Sequence, residues 1–290
     1  ISGGLWGVLL DGPNGTVFNT GTIRTRHTEL YPAIQGGAGV QDVINSGRIV
    51  GNVVLGAGDD GFTATGRGFV VGEVHGGEGA DDLVGARADD WLFGEDDNDV
   101  LAGRGGNDHL YGGNGNDDIW GGKGRDVMFG GTGGDTLFGE AGADKMHGGA
   151  DNDSLFGGGG NDRLFGDVGN DPLYGGGGKD VLRGGSGGDY LVGERGNDRL
   201  IGGSGADIFA FELWTPNFGN DRITDFEDGV DKIDLSCLGI ADMNAFLASA
   251  LSEVNGNAVI DLSEINPAVY SGTITLVNIA QADITPLDFV

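Results

Sequence analysis

Fifteen aspartates recur at intervals of nine residues without a break in the frame: Asp81, Asp90, Asp99, Asp108, Asp117, Asp126, Asp135, Asp144, Asp153, Asp162, Asp171, Asp180, Asp189, Asp198 and Asp207. Carboxylates are hard oxygen donors, and a regular row of them suits a hard divalent cation that takes six to eight oxygens. The acidic pairs in the row are too many and too alike to single out a general acid and base for glycoside cleavage. Other site chemistry is sparse. The four histidines, His27, His75, His109 and His147, are scattered and no HExxH occurs, so no zinc protease site is present in the sequence. GGSGG at 184–188 fits a nucleophile pattern but lies inside the repeat frame, without the strand, elbow and helix that the pattern needs.

The elements that must position these carboxylates follow from the same period. From Gly76 to Ala210 the chain divides into fifteen nonads such as GGNGNDDIW at Gly112 and GGGGNDRLF at Gly157. Position one is always Gly, position six always Asp, and position eight always apolar, from Leu83 through Met128 to Phe209. Position four is Gly in twelve units, where a turn demands positive φ; Ala88, Asp97 and Asp151 are the exceptions. Each nonad therefore predicts a turn of about six residues and about three extended ones, with the middle side chain inward. Two nonads close one coil of about 18 residues, and coils stack at about 4.8 Å into two parallel sheets. The fold expected is all-β, a parallel β-roll or β-helix solenoid in which one inward residue per strand makes a thin core.

Stacking places Asp81, Asp99, Asp117, Asp135, Asp153, Asp171, Asp189 and Asp207 on one edge and the other seven on the opposite edge. Like charges about 4.8 Å apart repel by roughly several tenths of a kcal/mol even in water. A cation between successive coils reverses the sign. Eight and seven aspartates leave seven and six slots, so about 13 calcium ions carrying +26 would offset a chain of formal charge −29. Magnesium demands a tighter octahedron and suits the slots less well.

Composition agrees. Gly numbers 63 of 290 residues but Pro only 6, which excludes collagen, and 38% apolar residues exclude a flexible linker. With 45 acidic against 16 basic residues, nucleic acid and anionic lipid surfaces are poor partners. Cys237 is the sole cysteine, so no internal disulfide forms, and no stretch spans a membrane.

The pattern G-G-x-G-x-D-x-(apolar)-x resembles the repeats-in-toxin (RTX, hemolysin-type) calcium-binding repeat. The resemblance implies a parallel β-roll in which the fifteen aspartates, with carbonyls of the turns, are calcium ligands. The sequence departs from the pattern at GARADDWLF from Gly85 and GEDDNDVLA from Gly94, which predicts distorted early slots, and at Pro172, which removes a strand donor. GNDRITDFEDGVDKIDLS at 219–236 resembles the C-terminal domain of serralysin-type RTX proteins. That resemblance implies export through type I secretion machinery by an uncleaved C-terminal signal, with LDFV as its end, and a secreted, extracellular or cell-surface location. ISGGLWGVLL lacks the charged start of a cleavable signal and an initiator Met, so the chain reads as a fragment.

Three segments are expected: irregular parallel β-helix coils over 1–75, with LGAGDDGF at Leu55 as a decayed repeat; the roll over 76–210; and a capping and secretion domain over 211–290. In the last, ITDF and KIDL predict a hairpin, Asp242 caps a short helix that Gly256 stops, and AVIDL and TITLVNI predict strands. Position nine carries Trp120, Phe138, Phe156 and Tyr174 on one sheet and Phe93, Tyr111, Phe129 and Phe165 on the other. Stacked ladders explain them most simply, and a surface for a polysaccharide or cell-surface partner is the alternative. The functional expectation is a non-catalytic module that folds on calcium after secretion. An adhesin or surface-layer protein, or the C-terminal part of a secreted hydrolase or polysaccharide-modifying enzyme, are the alternative parents.

Overall fold

The computed structural model describes residues 7–10, 12–24, 31–211, 217–265 and 271–290. The first six residues, His27 and the IFAFELW segment beyond Phe211 lie outside the described residues. The chain forms two compact units, residues 1–145 and 146–290.

The first unit is a parallel β-solenoid. One sheet stacks Val8–Leu9, Ile34–Gln35, Val53–Ala57, Val74–Glu78, Trp91–Asp96, His109–Asn114 and Val127–Thr132. The facing sheet stacks Asn14–Asn19, Val40–Asn45, Gly61–Ala64, Asp82–Val84, Val100–Gly105, Asp118–Gly124 and Thr136–Gly142. The N-terminal coils are parallel, as expected, but carry a third sheet of Thr22–Arg24, Arg48–Val50 and Phe69–Val71. Its strands take up the extra residues of these longer coils. Asn19 and Asn45 are buried at the corner that leads into it and bond side chain to side chain, Nδ2 to Oδ1, at 2.8 Å. A buried amide whose donors and acceptor are matched coil to coil fixes the register that an irregular period leaves open.

The second unit continues the same pattern. Ser154–Gly159, Pro172–Gly178, Tyr190–Gly196, Ile208–Ala210 and Lys232–Asp234 stack in parallel. So do Arg163–Val168, Val181–Ser186, Arg199–Ser204, Asn217–Ile223 and Ser271–Leu276. Pro172 has no N–H to give to the preceding coil, and its pairing there begins one residue later, at Leu155 with Leu173.

All fifteen position-eight side chains, from Leu83 to Phe209, are fully buried between the sheets. The strands are longer than three residues. In most nonads they run from position seven into position two or three of the next, as in Trp91–Asp96, because the glycine at position one stays in the extended ladder.

The C-terminal segment corrects two expectations. ITDF and KIDL do not form a hairpin: Asn217–Ile223 pairs with Arg199–Ser204, and Lys232–Asp234 with Ile208–Ala210, each as a further parallel strand. Continuing an existing ladder satisfies their backbone groups on an edge that a hairpin would leave open. The helix α1, Met243–Ala250, is capped by Asp242 but ends before Leu251 rather than at Gly256. Asn255 and Gly256, at φ 55° and 77°, instead turn the antiparallel pair Leu251–Val254 and Asn257–Asp261. AVIDL and TITLVNI are strands, and Ser271–Leu276 pairs with Asn257–Asp261. The chain end folds back: the N–H of Val290 donates to the carbonyl of Ile233, and Phe289 is buried beside it.

Candidate metal centre

Every position-six aspartate is buried, none more than 5% exposed. One relationship repeats down each edge: the backbone N–H of an aspartate donates to Oδ1 of the aspartate 18 residues later. In the first unit this joins Asp81 to Asp99, Asp99 to Asp117 and Asp117 to Asp135, each at 2.8 Å. On the other edge it joins Asp90 to Asp108, Asp108 to Asp126 and Asp126 to Asp144, again at 2.8 Å. In the second unit it joins Asp153, Asp171, Asp189 and Asp207, and separately Asp162, Asp180 and Asp198, at 2.8–3.0 Å.

The second carboxylate oxygen has a different fate. Oδ2 of Asp81, Asp99, Asp108, Asp117 and Asp126, and of Asp171, Asp180, Asp189, Asp198 and Asp207, is buried and accepts no hydrogen bond. A buried acceptor left unmatched costs about 1–3 kcal/mol, and more when it is charged. Burial accordingly pushes Asp99 up to about 8, Asp81, Asp108, Asp180 and Asp189 to about 7, and Asp117, Asp198 and Asp207 to about 6. The backbone N–H bonds pull the other way and the neighbouring carboxylates add to the rise. Without a cation these columns oppose ionisation.

The glycine at position one makes room for that oxygen. A Cβ on Gly112 would overlap Oδ2 of Asp117 and lie 2.7 Å from the carbonyl oxygen of Gly130 in the next coil. Gly94 and Gly184 show the same pairing, with Asp99 and Gly112, and with Asp189 and Gly202. A carboxylate oxygen and a carbonyl oxygen thus flank one small space beside a glycine Cα. Positive φ belongs instead to positions two and four, in every nonad except the one at Gly85. Among the described residues no group of three or more His, Cys, Asp and Glu side chains could hold a metal. Side chains from adjacent coils supply only part of a coordination shell, and backbone carbonyls must complete it. Calcium accepts such a mixed all-oxygen set, so the residues present fit it.

The two irregular turns differ. GEDDNDVLA keeps the standard turn, with Glu95 at φ 87° and Asp97 at 76°, conformations costly for residues with a Cβ. GARADDWLF does not: neither Ala86 nor Ala88 takes positive φ, and the N–H of Ala86 donates to Oδ2 of Asp90 at 2.8 Å. Asp90 is the position-six carboxylate whose second oxygen a backbone donor closes.

Two members of the columns escaped the nine-residue frame. Asp198 donates its N–H to Oδ1 of Asp221 at 2.8 Å, 23 residues on, and Asp207 to Oδ1 of Asp231 at 3.1 Å, 24 residues on. Both acceptors are buried, and burial pushes Asp221 up to about 8. The signal was present: GNDRI at 219–223 repeats GNDRL at 196–200, displaced by an insertion. Asp231 closes its second oxygen with the N–H of Glu227 at 2.8 Å, as Asp90 does with Ala86.

Outside the columns, position nine forms stacked ladders. Ring centroids of Phe93 and Tyr111 lie 4.7 Å apart and those of Phe156 and Tyr174 5.1 Å, with planes within 3°. Position five adds a second, exposed ladder that the repeat pattern did not announce. Oδ1 of Asn98 accepts from the N–H of Asn116, and Oδ1 of Asn116 from Gly134, at 2.7 and 2.8 Å. His147 points outward, stacked on Phe165 and 2.8 Å from Asp167 Oδ2. No helix among the described residues is long and apolar enough to cross a membrane.

The RTX calcium-binding nonapeptide repeat model matches residues 75–110, 94–128, 103–137, 138–173 and 174–209. The solution structure of the AlgE6R3 subunit from the Azotobacter vinelandii mannuronan C5-epimerase is 31% identical over 51% of this chain and 77% of its own, with a TM-score of 0.33. No curated protein matches the chain. These matches run through the fifteen in-register nonads, and the chain belongs to the RTX calcium-binding repeat family.

Proposed function

We propose that the chain is a non-catalytic module that folds on binding calcium after export by a type I secretion system. The observation that carries this reading is the series of buried aspartate oxygens facing glycine-lined gaps with no donor to meet them. The fifteen position-six aspartates, Asp81 to Asp207, are the side-chain ligands, with Asp90 contributing least because Ala86 already occupies one of its oxygens. Calcium, when bound, supplies positive charge between coils that otherwise repel. The chain's own residues do the rest. The Asp N–H to Oδ1 bonds hold each carboxylate at a set angle, glycine at position one clears its second oxygen, and the position-eight column aligns successive coils.

Before export, where calcium is scarce, the columns keep the chain from folding stably. At millimolar calcium, binding to the folded state alone shifts the balance, by about 2.7 kcal/mol for each site at a hundred times its dissociation constant. Residues 211–290 serve as the C-terminal cap and secretion signal in this scheme. Their strands extend the last coil of the second unit, and Leu287 stays exposed at the chain end.

The test is far-UV circular dichroism of the calcium-stripped chain during titration with calcium, with magnesium as the control. A cooperative gain of β signal specific to calcium supports the proposal. A stripped chain that is fully folded and indifferent to calcium defeats it.

A further inference from the structure

The nonad does not end where the unbroken frame begins. Residues 36–44 read GGAGVQDVI and residues 55–63 read LGAGDDGFT, with Gln41 and Asp60 at position six and Val43 and Phe62 at position eight. Both apolar residues are buried in the core. Gly56 and Gly58 take φ of 118° and 124°, the backbone of the repeat turns, whereas the earlier turn has positive φ only at position four, Gly39 at 111°. The carbonyl of Leu55 faces the Cα of Gly36 just as that of Gly94 faces Gly76. The coils are 19 and 21 residues long here rather than 18, which hides the match from a nine-residue frame.

The edge hydrogen bonds continue through these turns without interruption. Gln41 donates its backbone N–H to Oδ1 of Asp60 at 2.6 Å, and Asp60 donates to Oδ1 of Asp81 at 2.7 Å. Gln41 is fully buried and Asp60 is 3% exposed, yet Oε1 of Gln41 and Oδ2 of Asp60 accept no hydrogen bond. The Gln41 amide is held by its own Nε2, which donates to the carbonyl of Gly39 at 2.7 Å, and its Oε1 lies on the side of the preceding coil, 2.9 Å from the place of a Cβ on Gly15. Leu55 replaces the first glycine, so the Asp60 carboxylate cannot lie over that Cα, but its second oxygen is buried without a donor all the same.

One coil earlier the residue paired with Gln41 is Gly15, which has no side chain to offer. On the opposite edge, Val53 and Val74 align with Leu92, so position six is Gly51 and then Gly72 before Asp90 is reached. Only the first edge therefore extends toward the N-terminus, and it ends at Gln41.

We propose that this edge holds one further calcium slot that reaches beyond the residues matched by the repeat model, between Asp60 and Asp81, and that the column closes at Gln41. The proposal rests on the calcium reading given above. The Asp60–Asp81 slot has two carboxylates, like the regular ones. Gln41 terminates the column with a neutral side chain that turns toward the preceding coil and adds no further repulsion.

The experiment counts calcium bound to the full chain by equilibrium dialysis and native mass spectrometry, for the wild type, Gln41→Met and Asp60→Asn. Asp60→Asn is expected to bind about one fewer ion and Gln41→Met as many as the wild type, with the far-UV spectrum at saturating calcium unchanged. Terbium-soaked crystals of the wild type give a readout that needs no variant: anomalous density between residues 60 and 81. An unchanged ion count in Asp60→Asn overturns the proposal. So does missing density at that slot when the slots along Asp81, Asp99 and Asp117 are filled. A wild-type chain that takes up no calcium anywhere overturns the folding reading along with it, so the two failures are distinguishable.

Discussion

Asp81 gives its backbone N–H to Oδ1 of Asp99 at 2.8 Å, while Oδ2 of each is buried without a hydrogen bond. One oxygen of every such carboxylate is therefore spent on holding the coils in register and the other is kept for something the protein does not itself supply. The thermodynamic consequences of that division can be measured.

The first concerns pH. In the metal-free fold, burial pushes Asp99 up to about 8, Asp81 to about 7 and Asp207 to about 6, from an ordinary value of 3.8. The folded state then binds more protons than the unfolded chain, so this contribution is fully present below about pH 4 and lost as pH rises through 6 to 8. Calcium-free protein should show more β signal by far-UV circular dichroism at pH 5 than at pH 8. Measured in about 0.5 M KCl, where exposed charges are screened, the trend isolates the buried columns. With saturating calcium the trend reverses, because protons compete for the same oxygens. A calcium-free β signal that is flat or rising between pH 5 and pH 8 contradicts the buried-column account.

The second separates space from backbone conformation. Gly112→Ala puts a methyl group against Oδ2 of Asp117 and 2.7 Å from the carbonyl of Gly130, whereas a Cβ on Gly105 meets nothing closer than 3.6 Å. Neither glycine has positive φ. Gly112→Ala should lower calcium-loaded stability by about 1–3 kcal/mol and weaken calcium binding, and Gly105→Ala should stay within about 0.5 kcal/mol. Chemical denaturation of the two variants in calcium checks this, and equal effects would refute the proposed cradle.

The third exploits the turn at Gly85. Asp90 already has Ala86 on its second oxygen, and Asp108 on the same edge has nothing there. Asp108→Asn should raise the calcium midpoint of folding about tenfold, roughly 1.4 kcal/mol, and Asp90→Asn should move it by much less. Titrations followed by circular dichroism compare them directly. A larger effect at Asp90 would show that the Ala86 contact opens when calcium binds.

The fourth addresses the aromatic ladder. Phe93 and Tyr111 stack at 4.7 Å with planes 2° apart. A double-mutant cycle of Phe93→Ala and Tyr111→Ala should give a coupling of about 0.5–1.5 kcal/mol in the calcium-loaded protein. Additive losses would mean that the rings do not support one another and stand ready for another partner.

Much of this protein was legible in its residues. The unbroken period from Gly76 to Ala210 determined the coil, the inward column of position-eight residues and, within each unit, the assignment of each aspartate to one of two edges. Those features depend on strictly local spacing, because the strand alternates its side chains every residue and two nonads close a coil. Tertiary structure decided the rest, although LGAGDDGF had already marked Asp60 as part of a decayed repeat and GNDRI around Asp221 echoes GNDRL. Gln41, Asp60, Asp221 and Asp231 join the edges only through coils of irregular length, and the surplus residues loop out where no frame counts them. The glycine at position one is required by the carboxylate packed over it, not by its own dihedrals, and Asp90 is closed by a neighbour that a repeat pattern scores merely as a missing glycine. Spacing along the chain sets which residues are equivalent, but which oxygen meets a donor and which meets none depends on the distance between coils, and that distance exists only in the folded stack.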